Sequence, residues 1–200
     1  MNKDLKELIR SDLSRYYDHK ISAKERLLLP WEVRYLILWR KAAWYKTHGF
    51  RIQKVLSSIR LIRFMHKTRI TLPPEVAAGP GLYIGHLGRV IVHPDVRLGK
   101  NINLSTGITL GQINTGRKKG VPKIGNDVWI GTNAVIVGNI TIGNDVMIAP
   151  GAYVNFDVPD HSIVLGNPGV IHDRSPKDGD DRYPEELYAA KGYINRRYGV

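Results

Sequence analysis

The sequence predicts a mainly β fold, a solenoid of short strands preceded by a helical segment, and three observations carry that prediction. From Val90 to Gly169 a branched aliphatic returns every six residues, as Val92, Leu98, Leu104 and Leu110 and again as Ile124, Ile130, Ile136, Ile142, Ile148 and Val154. The next residue is Gly at 99, 111, 125, 131 and 143 and Ala at 149, and a second small or aliphatic residue follows four positions after each of the first, from Val96 to Val158. Residues 1–70 lack the repeat and show helical spacing instead. A fixed period marks a fold in which stacked units make the core, and six residues suit one short strand plus a corner. Glycine belongs at the corner, where a side chain would cost most.

The helical segment comes first. Leu5, Leu8, Ile9, Leu13 and Tyr16 predict an amphipathic helix over 2–18. Pro30 opens a second helix, about 30–47, which carries Trp31, Tyr35, Trp39, Trp44 and Tyr45 and stops at Gly49. A third, about 51–67, sets Ile52, Val55, Leu56, Ile59, Ile62 and Met65 on one stripe, with Arg51, Lys54, Arg60, Arg63 and Lys67 largely off it. The net charge of +12 is concentrated here: residues 1–70 hold 17 Lys or Arg against 6 Asp or Glu. Basic helices rich in Trp and Tyr suit peripheral contact with an anionic membrane face. Packing of the stripes on each other and on the solenoid is the alternative, and the residues leave both open. No nucleic-acid recognition motif accompanies the charge.

Hydrophobic content of 42% is ordinary for a chain that buries a core, no apolar run reaches a membrane span, and the N-terminus has no signal-peptide pattern, so a cytoplasmic location is expected. The absence of cysteine excludes a thiolate nucleophile, so any acyl transfer would proceed by direct attack of the acceptor.

Between helices and repeat, Thr71 to Gly81 is broken by Pro73, Pro74, Gly79 and Pro80 and reads as a linker. Then comes Leu82-Tyr83-Ile84-Gly85-His86-Leu87-Gly88. Counting back six from Val92 lands on His86, so a histidine stands where the frame asks for an aliphatic, and local rules break at functional sites. The frame breaks once more: Leu110 and Ile124 are 14 apart, eight more than a hexad, so Gln112 to Val121 is predicted to protrude as a loop.

These hexads resemble the left-handed parallel β-helix acyltransferases, in which three hexads make one triangular coil. From Gly81 to about Ile171 the chain is similar to the serine acetyltransferase branch, on Thr109-Leu110-Gly111, Pro122-Lys123-Ile124-Gly125 and Gly166-Asn167-Pro168. The resemblance implies acetyl-CoA as donor, a homotrimer with the cofactor in a groove between β-helices, and no metal. It makes His86 the general base that takes the proton from the acceptor hydroxyl, a task neutral imidazole performs near pH 7. It points to Gly131, Thr132, Ala149 and Pro150 as CoA-binding backbone, while Trp129 resembles an aromatic that some sugar-acetylating relatives place by the thioester, with surface packing as the alternative. Arg117, Lys118 and Lys119 on the loop are suited to CoA phosphates or an anionic acceptor, with a solvated loop as the plainer reading. Glu75, Asp95 or a backbone carbonyl are the candidates to orient His86. A three-histidine zinc site is not expected, because no histidine follows His93 before residue 160.

The acceptor is read from departures. Where the family has an aspartate before the histidine, another one coil earlier, and Arg-His at the end of the loop, this chain has Gly85, Thr71 and Gly120-Val121. Each lost charge-assisted contact is worth about 1.5–3 kcal/mol. What remains resembles the acetyltransferases that modify sugar hydroxyls in capsule, exopolysaccharide or lipopolysaccharide synthesis, and that resemblance implies a glycan or lipid-linked sugar as acceptor. Serine O-acetylation for cysteine biosynthesis and a non-catalytic scaffold are the alternatives. The expected organisation is a basic helical segment over 1–70, a β-helix over 71–172 with loop 112–122, and a tail over 173–200 with a short helix around Pro184 to Tyr198.

Overall fold

A computed structural model describes residues 2–19 and 21–173; the helix expected around Pro184 to Tyr198 lies outside them. The repeat folds as a left-handed parallel β-helix with three faces. The first face stacks β1 (Ile70–Thr71), β4 (Val90–Val92), β7 (Thr109–Gly111), β10 (Val135–Val137) and β13 (Tyr153–Val154). The second stacks β2 (Ala77–Ala78), β5 (Arg97–Leu98), β8 (Lys123–Ile124) and β11 (Thr141–Ile142). The third stacks β3 (Tyr83–Ile84), β6 (Asn103–Leu104), β9 (Trp129–Ile130), β12 (Met147–Ile148) and β14 (Ser162–Leu165), and β15 (Val170–Asp173) closes it antiparallel.

Each hexad aliphatic points inward. Val92, Leu104, Leu110, Ile130, Ile136, Ile142, Ile148 and Val154 are buried, as are the partners four residues on, such as Ile102, Ile108, Val128 and Val146. Each such side chain contributes about 1.5–3 kcal/mol relative to exposure. The glycine after the aliphatic is needed for a reason other than turning. A Cβ on Gly99 would lie 2.3 Å from the Gly125 carbonyl oxygen, one on Gly125 2.5 Å from that of Gly143, and one on Gly143 2.6 Å from the Asp160 nitrogen. The next coil passes too close for any side chain. Left-handed backbone falls instead on Asn101, Asp127, Asp145 and His161, with φ from 52° to 56°, in a corner where Asn and Asp are the favoured non-glycine residues.

The stretch from Thr71 to Gly81 is no linker. Ile70, Leu72, Val76 and Leu82 are buried inward, and β1 and β2 pair in parallel with β4 and β5. Its prolines fall at corners, where no ladder N–H is needed, so the composition of a loop is also that of a tight first coil.

The helices are α1 (Lys3–Leu13), α2 (Ala23–Leu27), α3 (Trp31–His48) and α4 (Arg51–Thr68). The first ends before residue 18 because the chain turns after Ser14 to send Arg15 and Tyr16 onto the first coil. The short α2 is fixed by a capping box between Ser22 and Glu25, with Glu25 held down to about 2 chiefly by the Ser22 backbone N–H.

Side chains of the helical segment close the open end of the solenoid. Tyr35 Oη accepts from Leu72 N–H at 3.1 Å and donates to the Leu72 carbonyl at 3.2 Å; Tyr16 Oη does the same for Ile84, 2.8 Å each way. Trp39 Nε1 donates to the Pro73 carbonyl and Arg15 to that of Gly81. Arg40 donates to both oxygens of Asp12, at 2.7 and 2.9 Å, and to the Ala78 and Gly79 carbonyls, while Asp12 also accepts from Leu82 N–H at 2.9 Å. The first rung has no strand below it, and these groups satisfy the backbone an extra strand would have satisfied.

Candidate active site

The first coil turns from β3 to β4 by an unusual route. Ile84 pairs with Leu104, and Ile91 pairs with Thr109. The corner above it passes from Leu104 to Ile108 through Ser105, Thr106 and Gly107, whereas the first corner needs Gly85, His86, Leu87, Gly88 and Arg89 to go from Ile84 to Val90. Two residues are therefore extra, and His86 sits on the lengthened corner with its side chain exposed. This corrects the frame position: the inward residue of that hexad is Ile84, buried completely, and His86 replaces no aliphatic. Gly88, at φ 143°, presses the corner against Thr106, whose Oγ1 would lie 3.1 Å from a Cβ there.

Among the described residues His86 has no hydrogen-bond or ion-pair partner. Neither carboxylate candidate is bonded to it: Glu75 is paired with Lys46, and Asp95 faces His93 at 3.8 Å.

The residues expected to bind CoA fall on the corner of His86, in later coils. Trp129 pairs with Met147 in the third face, so Gly131-Thr132 lies directly beneath Ala149-Pro150. At about 4.8 Å per rung, these two corners stand about 10 and 14 Å along the axis from the first. Their backbones are in close contact: a Cβ on Gly131 would lie 2.6 Å from the Pro150 nitrogen. The Gly131 and Ala149 N–H groups serve the ladder, through the carbonyls of Ile148 and Val164, and Gly131 and Ala149 are buried while Thr132 and Pro150 are exposed.

Lys118 and Lys119 lie elsewhere. The loop after β7 leaves from the corner between the first and second faces and is closed by reciprocal bonds between Ile113 and Gly120, at 3.0 and 2.9 Å. Lys118 Nζ folds back onto the Asn155 carbonyl of the same chain, and Lys119 and Arg117 are exposed. Within one chain, then, the loop lysines and His86 occupy different corners.

Two further cations lie on the first two rungs. Arg69 and Arg89 immediately precede the paired residues Ile70 and Val90, so they occupy adjacent rungs, and Arg89 belongs to the His86 corner itself. With His66 and Thr71 they line a cleft of about 420 Å³ between α4 and the first face. They carry no motif of their own; only the rung register, once β1 is recognised, brings them together.

A left-handed β-helix of hexads with a histidine on a lengthened corner defines a class, the hexapeptide-repeat acyltransferases. The family described as Bacterial transferase hexapeptide (six repeats) matches residues 122–155. The serine acetyltransferase of Bacillus pumilus is 30% identical over 171 residues, covering 82% of this chain and 76% of its own. That of Helicobacter pylori strain 26695 is 35% identical over 146 residues, 72% of this chain and 82% of its own. Among solved structures, the Brucella abortus serine acetyltransferase in complex with coenzyme A superposes with TM-score 0.73 at 26% identity, over 88% of this chain and 70% of that one. The Neisseria gonorrhoeae enzyme in complex with serine gives 0.70 at 27%, over 86% and 70%. The chain belongs to the serine acetyltransferase family. It is an O-acetyltransferase with acetyl-CoA as acyl donor.

These relatives overturn the expected sugar acceptor and its place in polysaccharide synthesis: they are serine acetyltransferases, and one is solved with serine bound. The sugar expectation rested on charges missing at Gly85, Thr71, Gly120 and Val121. As for membranes, among the described residues no helix is long and apolar enough to cross one.

Proposed function

We propose that the protein transfers the acetyl group of acetyl-CoA to the hydroxyl of serine, the reaction that prepares serine for conversion to cysteine, with His86 as general base. The observation that carries the reading is the lengthened corner, which lifts His86 out of the coil on the same edge as Gly131-Thr132 and Ala149-Pro150. A neutral imidazole there accepts the hydroxyl proton as the serine oxygen attacks the thioester carbonyl; collapse of the tetrahedral intermediate expels the thiolate, and the imidazolium returns the proton to it. Trp129, Gly131, Thr132, Ala149 and Pro150 form the wall along which CoA lies.

Arg69 and Arg89 supply the positive charge for the serine carboxylate that the family places at the end of the loop. The assembly is a trimer in which a neighbouring copy's loop, with Lys118 and Lys119, covers the corner of His86, because one chain sets loop and histidine on different corners.

The test is CoA release from acetyl-CoA in the presence of L-serine. Replacing His86 by Ala lowers kcat by about 10²- to 10⁴-fold. Arg89→Ala, by removing one charge-assisted contact, raises the serine KM by about 10- to 150-fold with a smaller change in kcat. No serine-dependent release by the wild type refutes the acceptor; full activity of His86→Ala refutes the base.

A further inference from the structure

The α4 helix has two apolar sides and uses only one. Leu61 and Thr68 are its buried residues, with Phe64 and Met65 partly covered beside them. At about 100° per residue, Ile52, Val55, Leu56, Ile59 and Ile62 fall within one arc of about 120° on the opposite side. All five are open to solvent, from 44% exposed at Ile59 to 73% at Ile52. An apolar stripe of this continuity is not left bare without a partner.

The charges around it say which partner. The helix carries Arg51, Lys54, Arg60, Arg63 and Lys67 and no Asp or Glu. Arg63 lies inside the arc, Arg60 and Lys67 border one edge, and Arg51 borders the other. Beside the stripe, α2, α3 and α4 border an open cavity of about 510 Å³ lined by Arg26, Arg34, Arg60 and Arg63 over Ile37 and Phe64, with no carboxylate in its wall. Arg34 is partly engaged, with the Leu27 carbonyl and the Trp31 ring, while Arg26 is followed directly by Leu27 and Leu28, which are 75% and 83% exposed. A second copy of this face would bring only more cations against these, with nothing to neutralise them.

We propose that the α4 face docks on an anionic phospholipid surface, with the aliphatic stripe at the acyl boundary and lipid phosphates in the four-arginine cavity. Apolar burial and cation–phosphate attraction then act in one plane, the arrangement of helices that lie on membranes. The far end of the stripe, at Ile62, borders the cleft of Arg69 and Arg89, so a docked membrane lies beside that cleft.

The experiment is flotation of the full-length protein with vesicles of phosphatidylcholine alone and of phosphatidylcholine mixed equally with phosphatidylglycerol. Binding is expected only to the anionic vesicles, weakening as salt is added. Removing two cations in R60A/R63A lowers the partition coefficient about 30-fold, and I52S/I59S lowers it at least about tenfold through lost apolar burial. Both variants change exposed residues, and circular dichroism and acetyl-CoA turnover establish that they fold. Equal binding to both vesicle types, or unchanged binding by either variant, overturns the proposal. So does a fall in oligomer mass of I52S/I59S in sedimentation velocity with flotation unchanged, which assigns the face to contact between copies.

Discussion

Replacing Asp12 by Ala tests how the helical segment is joined to the solenoid. Asp12 is 1% exposed and Arg40 4%, so the pair sits away from water. Burial pushes the Asp12 carboxyl above its ordinary value, opposed by the hydrogen bonds and charge of Arg40. In D12A the guanidinium keeps the Ala78 and Gly79 carbonyls but loses its counter-charge, and Leu82 N–H loses its acceptor. Breaking a buried pair from one side costs about 3–5 kcal/mol, because the remaining charge is uncompensated. For a chain of this size, at about 2–4 °C per kcal/mol, the melting temperature falls by about 6–20 °C. Calorimetry on wild type, D12A and the double variant D12L/R40M measures this. The double variant, which leaves no unpaired charge, is expected to melt above D12A. A D12A melting point within about 2 °C of wild type, or a double variant no better than D12A, refutes the assignment of Asp12 and Arg40 as a coupled joint.

Other outcomes follow from the same geometry. Gly125→Ala forces a methyl to within 2.5 Å of the Gly143 carbonyl oxygen and is expected to cost about 1–3 kcal/mol or more in thermal unfolding; an unchanged melting point means the coils are not so closely spaced. Burial raises the Tyr35 and Tyr16 phenols above their ordinary value of 10. A raised folded-state value stabilises below pH 10 and is lost as pH climbs through it, so the wild type should lose stability above about pH 10. Tyr35→Phe removes one of these titrations and should show a flatter alkaline slope, at about 1–3 kcal/mol lower stability near neutrality from the unpaired Leu72 backbone; parallel slopes would show that Tyr35 does not titrate as a buried phenol. Ser22→Ala removes the reciprocal cap with Glu25 and should raise hydrogen exchange across α2 alone, and protection unchanged there sinks that assignment.

Most of the solenoid was legible in the sequence because inward side chains must recur with the coil, and from Val92 to Val158 they do. One misreading lies where a coil departs from six residues per face. His86 drew attention as a break in the hexad frame, but that frame position was mistaken because two inserted residues, invisible to counting, separate Ile84 from Val92. The prolines of 73–80 resembled a linker because tight corners and loops share their residue types. The α2 helix was missed, since it is too short for any periodicity and only Ser22 and Glu25, three apart, mark its start. Periodicity identified the α4 stripe, but it does not say which of two apolar sides is the buried one; only packing of Leu61 and Thr68 decides that. Arg69 and Arg89 are distant in sequence, and nothing but strand register makes them neighbours.

The layer of tyrosine, tryptophan, arginine and aspartate over the first coil has a consequence for how such a chain stays a discrete molecule. A parallel rung is a template on which an identical rung can grow, and a stack of coils open at its base would invite end-on addition of further copies into a fibre. By occupying Leu72, Ile84, Gly81 and Leu82 with side chains that offer no onward strand, the helical segment acts as a terminator of polymerisation. It fixes where the stack begins and keeps the growth of a repeating structure from continuing through its neighbours.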